Sequence, residues 1–146
     1  MFSRRDLMAA LPALAVMGTA FATAENKPVM GSRVFDLDSF PAKKTSFGMV
    51  RSLCSSPTAT LENLEMHVTT LNPGQQPHKP HRHPNEELII IAQGTVKTLS
   101  NGKWKRVGPG GVIFNASNHL HGLENIGKEP AIYHVINWKT AATPSS

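Results

Sequence analysis

HRHPNEE, at residues 81–87, places two histidines and a glutamate close together in the chain. Side chains alternate between the two faces of an extended strand, so His81, His83 and Glu87, all at odd positions, are expected on one face. Two imidazoles and one carboxylate are a typical ligand set for a divalent transition metal. The segment therefore predicts a metal site.

GGVIFNASNHLHGLEN, at residues 110–125, carries a further candidate ligand, His121. The earlier segment follows the pattern H-x-H-x3-E-x6-G, which ends at Gly94, and this one follows G-x10-H-x3-N. The pair resembles the two sequence motifs of the cupins, small β-barrels whose shared metal site uses three histidines and one glutamate. The resemblance extends over about residues 45–138.

The resemblance implies an all-β fold, a single jelly-roll barrel with a metal at its centre. The four ligands that it implies are His81, His83, Glu87 and His121. One departure lies just ahead of the last histidine, where the usual proline and glycine are Ser117 and Asn118. Asparagine tolerates the left-handed conformation that glycine usually supplies, so we expect the turn to be kept.

A competing interpretation is that the segment rich in histidine and proline is a solvated loop that binds cations incidentally. The agreement of both motifs over their whole length argues against it. The remaining histidines lie outside the ligand positions. We expect His78 to be exposed at the rim of the site, His119 to have a structural or rim role in a turn, and His67 to be packed on a strand or at the surface.

Short alternating or aliphatic runs separated by turn residues predict a sandwich or barrel. The expected strands are residues 47–53, 61–71, 88–92, 95–99, 103–107, 112–114, 119–126 and 131–138. Asn101 and Gly102 indicate a hairpin turn, because both residues accept positive φ. Residues 34–37 are expected to form a short edge strand. The run of residues 88–91, LIII, is apolar on both faces, which favours packing on a second subunit as a homodimer.

The N-terminal residues predict export. Arg4 and Arg5 form a twin-arginine pattern, followed by an apolar stretch at about residues 7–21 and an A-x-A cleavage site that ends at Ala24. The apolar stretch is interrupted and too short for a spanning helix, which argues against a stable membrane anchor. The expected organisation is a cleaved signal peptide at 1–24, an arm at 25–44, a barrel at 45–140 and a disordered tail at 141–146, in a periplasmic or secreted protein.

Composition narrows the function further. The net charge is +5, but the basic residues are scattered and not interleaved with aromatic residues, so nucleic acid is not an expected partner. Cys54 is the only cysteine, so the chain can form neither an internal disulfide nor a zinc-cysteine site. A small-molecule ligand or substrate is the expected partner.

Four protein ligands have different consequences for different metals. Zinc in a tetrahedral site would be saturated, whereas iron or manganese, which are preferred here, or nickel or cobalt would keep two open positions. We therefore expect one divalent transition metal per chain and a dioxygenase-like enzyme, or a related lyase or isomerase. Glu87 and His134 are the candidate catalytic residues, as possible general bases. A non-catalytic binding module is the alternative.

Overall fold

Two antiparallel β-sheets form the fold in the computed structural model, which describes residues 27–145. The predicted signal peptide lies outside the described residues. The strands are β1 Lys43–Thr45, β2 Gly48–Ser56, β3 Asn63–Leu71, β4 Glu86–Gln93, β5 Val96–Ser100, β6 Lys103–Val107, β7 Val112–Asn115, β8 Gly122–Asn125 and β9 Ala131–Lys139. One sheet has the order β1-β2-β3-β9-β4-β7 and the other the order β6-β5-β8. The all-β jelly-roll barrel predicted from the sequence is confirmed.

Alternation along the strands builds the core between the sheets. On β9 the side chains of Ala131, Tyr133 and Val135 are buried, while the residues between them are only partly covered. β4 places Ile89 and Ile91 beside them, and Val96 of β5 closes the interior from the other sheet. Each buried residue lies two positions from the next because inward-facing side chains on a strand recur with period two.

Asn125 connects β8 to three other parts of the chain from a fully buried position. Its side-chain amide donates to the carbonyls of Leu71 at 2.8 Å and Glu129 at 2.9 Å, and its Oδ1 accepts from Gly127 N at 2.9 Å. All of its side-chain polar atoms are therefore paired, as a buried amide requires. The asparagine that ends the second motif has a structural role.

Local turn chemistry explains the β5–β6 hairpin and corrects one prediction. Asn101 and Gly102 have φ of 50° and 73°, as expected for this hairpin.

The edge strand predicted at residues 34–37 is wrong, because the chain there leads into a short 3-10 helix, Leu37–Ser39. The Asp36 carboxylate accepts from Asp38 N at 3.4 Å, and this local bond competes with strand pairing. The edge strand is β1 instead.

The outer face of β4 is apolar, as its sequence indicated. Leu88 and Ile90 are partly covered, and their partners on the edge strand β7, Phe114 and Val112, are 52% and 60% exposed. A second subunit packed on this face stays a prediction. Within residues 27–145, no helix has the length and apolar character needed to cross a membrane.

Gly94, the last residue of the first motif, lies where the chain leaves β4 and packs against β9. Its φ is +84°, and a Cβ built there would lie 2.7 Å from the Cα of Ala131. Gly74 has a similar φ of +71° but open space around it. Substitutions at the two glycines can therefore distinguish the cost of backbone strain from the cost of a steric clash.

We predict that Gly74→Ala lowers the free energy of unfolding by about 1–2 kcal/mol, from left-handed strain alone. Gly94→Ala should lower the free energy of unfolding by about 1–3 kcal/mol more than Gly74→Ala does, because the added methyl group would clash with the backbone of β9. Urea unfolding of both variants measures the difference. Equal losses would show that the contact with Ala131 does not constrain this position.

Candidate metal centre

Backbone hydrogen bonds, not a regular strand, bring the three motif histidines together. β4 begins only at Glu86, so His81 and His83 precede it. His81 and His121 form an isolated β-bridge, with His81 N donating to His121 O at 2.9 Å and the reciprocal bond at 3.0 Å. Alternation along a regular strand therefore does not explain how His81 and His83 come together, although the three histidines still meet.

The turn before His121 keeps the left-handed residue that the sequence predicted. Asn118 has φ of 58° and donates its backbone N–H to His83 O at 2.8 Å. Arg82 Nη1 donates to Asn118 O at 2.8 Å. Asn118 thus performs the conformational role of glycine and also ties the second motif to the first.

His81, His83 and His121 offer ring nitrogens that all lie within 4.8 Å of one another. The ring centroids are 4.5 Å apart for His81 and His121, 4.7 Å for His83 and His121, and 5.5 Å for His81 and His83. This spacing allows one ion to contact all three rings after small side-chain adjustments, since zinc and similar metals bind imidazole nitrogen at about 2.0–2.1 Å. The three histidines could therefore hold one metal ion.

Each of these histidines has its Nδ1 bonded to a backbone carbonyl two residues away. The acceptors are Lys79 O for His81 at 3.3 Å, Asn85 O for His83 at 2.9 Å and His119 O for His121 at 2.8 Å. A carbonyl oxygen only accepts, so every Nδ1 must carry the hydrogen. In a neutral ring with this hydrogen bond the lone pair is on Nε2, which is the nitrogen that each histidine can offer to a metal.

His121 supplies the clearest sign that an ion fits here. The residue is 4% exposed, and its buried Nε2 has no hydrogen-bond partner among the described residues. A buried polar nitrogen without a partner destabilises a fold by about 1–3 kcal/mol. Burial also lowers the pKa of His121, against the opposing hydrogen bond to His119 O, so the ring is neutral at neutral pH. A divalent cation would satisfy this nitrogen directly.

Glu87 lies beside two of the three histidines. Its carboxylate oxygens are 3.9 Å from His83 Nε2 and 3.9 Å from His121 Nε2. Asn115, 4% exposed on β7, donates its side-chain amide to Glu87 Oε1 at 2.9 Å. The carboxylate is thus oriented by a buried amide that faces it across the β4–β7 pair.

Sequence reasoning did not identify Asn115 as a functional residue. The available signal was a polar residue of inward parity directly after the apolar run 112–114. Asn85, just before β4, also donates its side-chain amide Nδ2 to Asn137 Oδ1 of β9 at 3.1 Å. Asn137 is the β9 partner of Glu87 in the strand register.

A cavity of about 150 Å³ opens beside the cluster and is mostly apolar. Its walls include Phe47, Val50, Ile89, Leu123 and Val135, together with His81, Glu87 and His121. Such a cavity suits a small organic molecule held by one polar end.

The other histidines occupy distinct positions. His78 is exposed at the cavity rim, as expected, with its ring centroid 4.7 Å from that of His81. His119 is exposed and contributes only its carbonyl to the site. His67 also lines the cavity. The sequence did not distinguish it from a packed strand histidine, because only the β3–β9 register shows which way it faces.

His134, the second candidate catalytic residue, does not join this cluster. On β9 the neighbouring Tyr133 and Val135 are buried and line the cavity, and His134 has the opposite parity. It is paired with Val68 and Ile90 on the outer face of the sheet. The strand alternation therefore separates His134 from the metal centre by the thickness of the sheet.

Comparison with known proteins agrees with this fold. Residues 67–137 match the Cupin_2 family, described as a cupin domain. The polyketide cyclase RemF from Streptomyces resistomycificus is similar in structure, with a TM-score of 0.60, 21% identity, and coverage of 75% of this chain and 80% of that chain. A predicted oxalate decarboxylase from Thermotoga maritima gives a TM-score of 0.61, 21% identity, and coverage of 73% and 99%.

The Cupin_2 domain of an XRE family transcriptional regulator from Enterobacter cloacae is also similar, with a TM-score of 0.52, 19% identity, and coverage of 60% of this chain and 92% of that chain. No curated protein matches the sequence at a significant level. The class of protein defined here is a small jelly-roll barrel with a three-histidine cluster at the mouth of a cavity. The domain match and the shared fold together support the cupin superfamily.

We predict that alanine at His81, His83 or His121 lowers metal affinity by at least about tenfold, because each variant removes a converging Nε2 ligand. Asn115→Ala should lower it about tenfold by releasing Glu87. His78→Ala is the matched control and should keep the metal content of the wild type. Elemental analysis of purified variants measures occupancy, and a His78 variant as depleted as the His121 variant would contradict the ligand assignment.

Proposed function

We propose that this protein is a metal-dependent enzyme that acts on a small oxygen-bearing molecule in the barrel cavity. One divalent transition metal would be held by His81, His83 and His121, with Glu87 as the fourth ligand. The observation that carries the proposal is the convergence of three imidazoles, all fixed with Nε2 free, at a mostly apolar cavity. Histidines in a solvated loop would not be expected to share one hydrogen-bonding pattern at Nδ1.

Iron or manganese is the preferred metal. Either prefers six ligands, so four protein groups would leave two positions for the oxygen atoms of a substrate or for dioxygen, and the ion would supply Lewis acid or redox chemistry. Oxygenase, lyase and isomerase activities all use such a site. Zinc held by the same four groups in a tetrahedral site would have no open coordination position for a substrate.

The chain's own residues have separable roles around a bound molecule. The aliphatic and aromatic walls exclude water from the substrate, which strengthens each electrostatic contact inside the cavity. Asn115 holds the Glu87 carboxylate in one orientation. Tyr133, which is buried and lines the cavity, is a neutral phenol at neutral pH, and burial raises its pKa still further, against the opposing hydrogen bond to Thr69. It can therefore donate a hydrogen bond to a ligand but not act as a base at neutral pH.

A non-catalytic binding module is the second candidate. Two of the structural relatives are named as enzymes, a cyclase and a decarboxylase, whereas another is a domain of a transcriptional regulator. In the second candidate the same histidines would capture a ligand or a metal without turnover. The open cavity beside the cluster favours the enzyme, because a purely structural ion needs no adjoining space.

We predict that protein purified from its native compartment contains iron or manganese at about one ion per chain. The metal-loaded protein should consume oxygen with, or otherwise transform, a small chelating molecule in a panel of enediols, phenols and keto acids, because two ligand positions remain open. Oxygen electrode traces and NMR of the mixtures measure this. Stoichiometric zinc with no turnover across the panel would support the binding module instead.

We also propose that the protein is exported by the twin-arginine route to the periplasm or beyond. The support is Arg4 and Arg5 ahead of an apolar stretch and an A-x-A site at residues 22–24. This route carries proteins that have already folded, so the metal would be inserted in the cytoplasm. Such loading would protect the site from competing zinc and copper outside, which bind nitrogen ligands more tightly than iron or manganese.

Replacing both Arg4 and Arg5 with lysine should keep the precursor in the cytoplasm. A general secretory signal needs only positive charge before its apolar segment and should tolerate the change. Fractionation of cells that express the full chain, with the single Arg4→Lys variant as a control, measures the location. Normal export of the double variant would contradict the twin-arginine proposal and leave the metal site unaffected.

A further inference from the structure

His67 is a polar group on an otherwise largely apolar cavity wall. It lies on β3 between Val135 of β9 and Ser52 of β2, just before the part of the strand where Val68, Thr69 and Leu71 are buried. Its side chain is 24% exposed and lines the same cavity as Glu87 and His121. The imidazole therefore faces the space that a ligand on the metal centre would occupy.

Glu65 gives His67 a carboxylate partner. The two residues share a face of β3 because they are two positions apart, and Glu65 Oε1 lies 3.6 Å from His67 Nδ1. This separation is just longer than a hydrogen bond, and contacts of catalytic groups often shorten when substrate binds. With Nδ1 directed to Glu65, Nε2 is the nitrogen left for a molecule in the cavity. An imidazole oriented by a carboxylate is the arrangement of a proton acceptor.

The remaining titratable groups around the cavity are poorly suited to accept a proton. The groups that surround His67 are Glu65 on its own strand, Glu87 of β4, Tyr133 of β9, His78 of the rim loop, and the ligands His81 and His121. Glu87 is bonded to Asn115, Tyr133 stays protonated, and the His78 ring packs edge-on against His81. From β2 the cavity receives only the apolar Val50.

The protonation state of His67 suits this role. Burial lowers the pKa of His67 below its ordinary value, and the charges of Glu65 and Glu87 oppose that change. The ring is therefore neutral and able to accept a proton at neutral pH. The nearby carboxylates would stabilise the imidazolium once it forms.

We propose that His67, oriented by Glu65, is a catalytic residue that removes a carbon-bound proton next to a carbonyl whose oxygen is held at the metal centre. This inference rests on the proposed function and narrows it to isomerase or lyase chemistry on a small 2-oxo acid or similar chelating molecule. The C–H bond breaks, its electron pair forms a C=C bond, and the carbonyl π pair moves to the oxygen. The proton passes to His67 Nε2 and returns to another carbon or to a leaving group, so no oxidant is consumed.

The test uses pyruvate and oxalate as probes with the metal-loaded protein. Pyruvate has methyl protons next to a carbonyl, and NMR in D2O measures their exchange. Oxalate resembles the planar product of proton removal but has no proton to lose, so it reports binding alone. Calorimetry in two buffers of different ionisation enthalpy gives the number of protons taken up when oxalate binds.

The wild type should exchange the methyl protons of pyruvate and take up a proton with oxalate. His67→Gln should slow exchange by at least about 100-fold and remove the proton uptake, while metal content stays unchanged. Glu65→Gln should slow exchange by a smaller factor. His134→Gln makes the same change on the outer face of β9 and should match the wild type.

Three outcomes would overturn the proposal. Exchange and proton uptake that persist in His67→Gln would show that another group accepts the proton. A wild type that binds oxalate without exchanging pyruvate protons would exclude proton removal from this class of molecule and leave the proposed function standing. A wild type that binds neither metal nor oxalate would overturn the proposed function as well.

Discussion

Three hydrogen bonds from histidine Nδ1 atoms to backbone carbonyls determine what the centre of this barrel can do. Each bond fixes one imidazole with its lone pair on Nε2, and the acceptors lie within two residues of the histidine that they orient. The arrangement leaves His121 Nε2 buried without a partner among the described residues. This unpaired nitrogen destabilises the folded protein, and a bound cation would remove that destabilisation.

The rest of the fold holds these three rings in place. The His81–His121 bridge joins the two motif segments, and Asn118 connects the turn of the second motif to His83. Asn125 ties β8 to the end of β3 through a fully paired buried amide. Residues that look like parts of a metal motif in the sequence therefore divide into ligands and residues that position the chain around them. Substitution of a ligand should remove the metal, whereas substitution of a residue that positions the chain should destabilise the barrel.

The cavity has two polar sides with different chemistry. One side is the histidine cluster with Glu87, which suits a divalent ion, and the other is His67, which suits proton transfer and has the more exposed Glu65 behind it. Apolar walls separate the two, so a small molecule would be held between a positive centre and a base. The two proposed roles would give His67 a function separate from the candidate metal ligands.

Much of this structure was predictable from the sequence, and the failures have physical causes. The barrel, the β5–β6 turn and the left-handed Asn118 follow from periodicity and from residues that accept positive φ. The 3-10 helix at Leu37–Ser39 was missed because a side-chain cap at Asp36 overrides strand propensity. His67 and Asn115 were missed because their roles depend on which strands become neighbours. The sequence offers His134 as a candidate base, but only the sheet register shows that it lies on the outer face of β9.

A high-resolution crystal structure of the manganese-loaded protein, with anomalous difference maps recorded at the manganese absorption edge, tests the central claim most directly. The fixed tautomers predict one ion bound through Nε2 of His81, His83 and His121, with a Glu87 oxygen as the fourth protein ligand and all three Nδ1 bonds to carbonyls intact. An ion bound through any Nδ1 atom, or held by His78 in place of His121, would contradict the account.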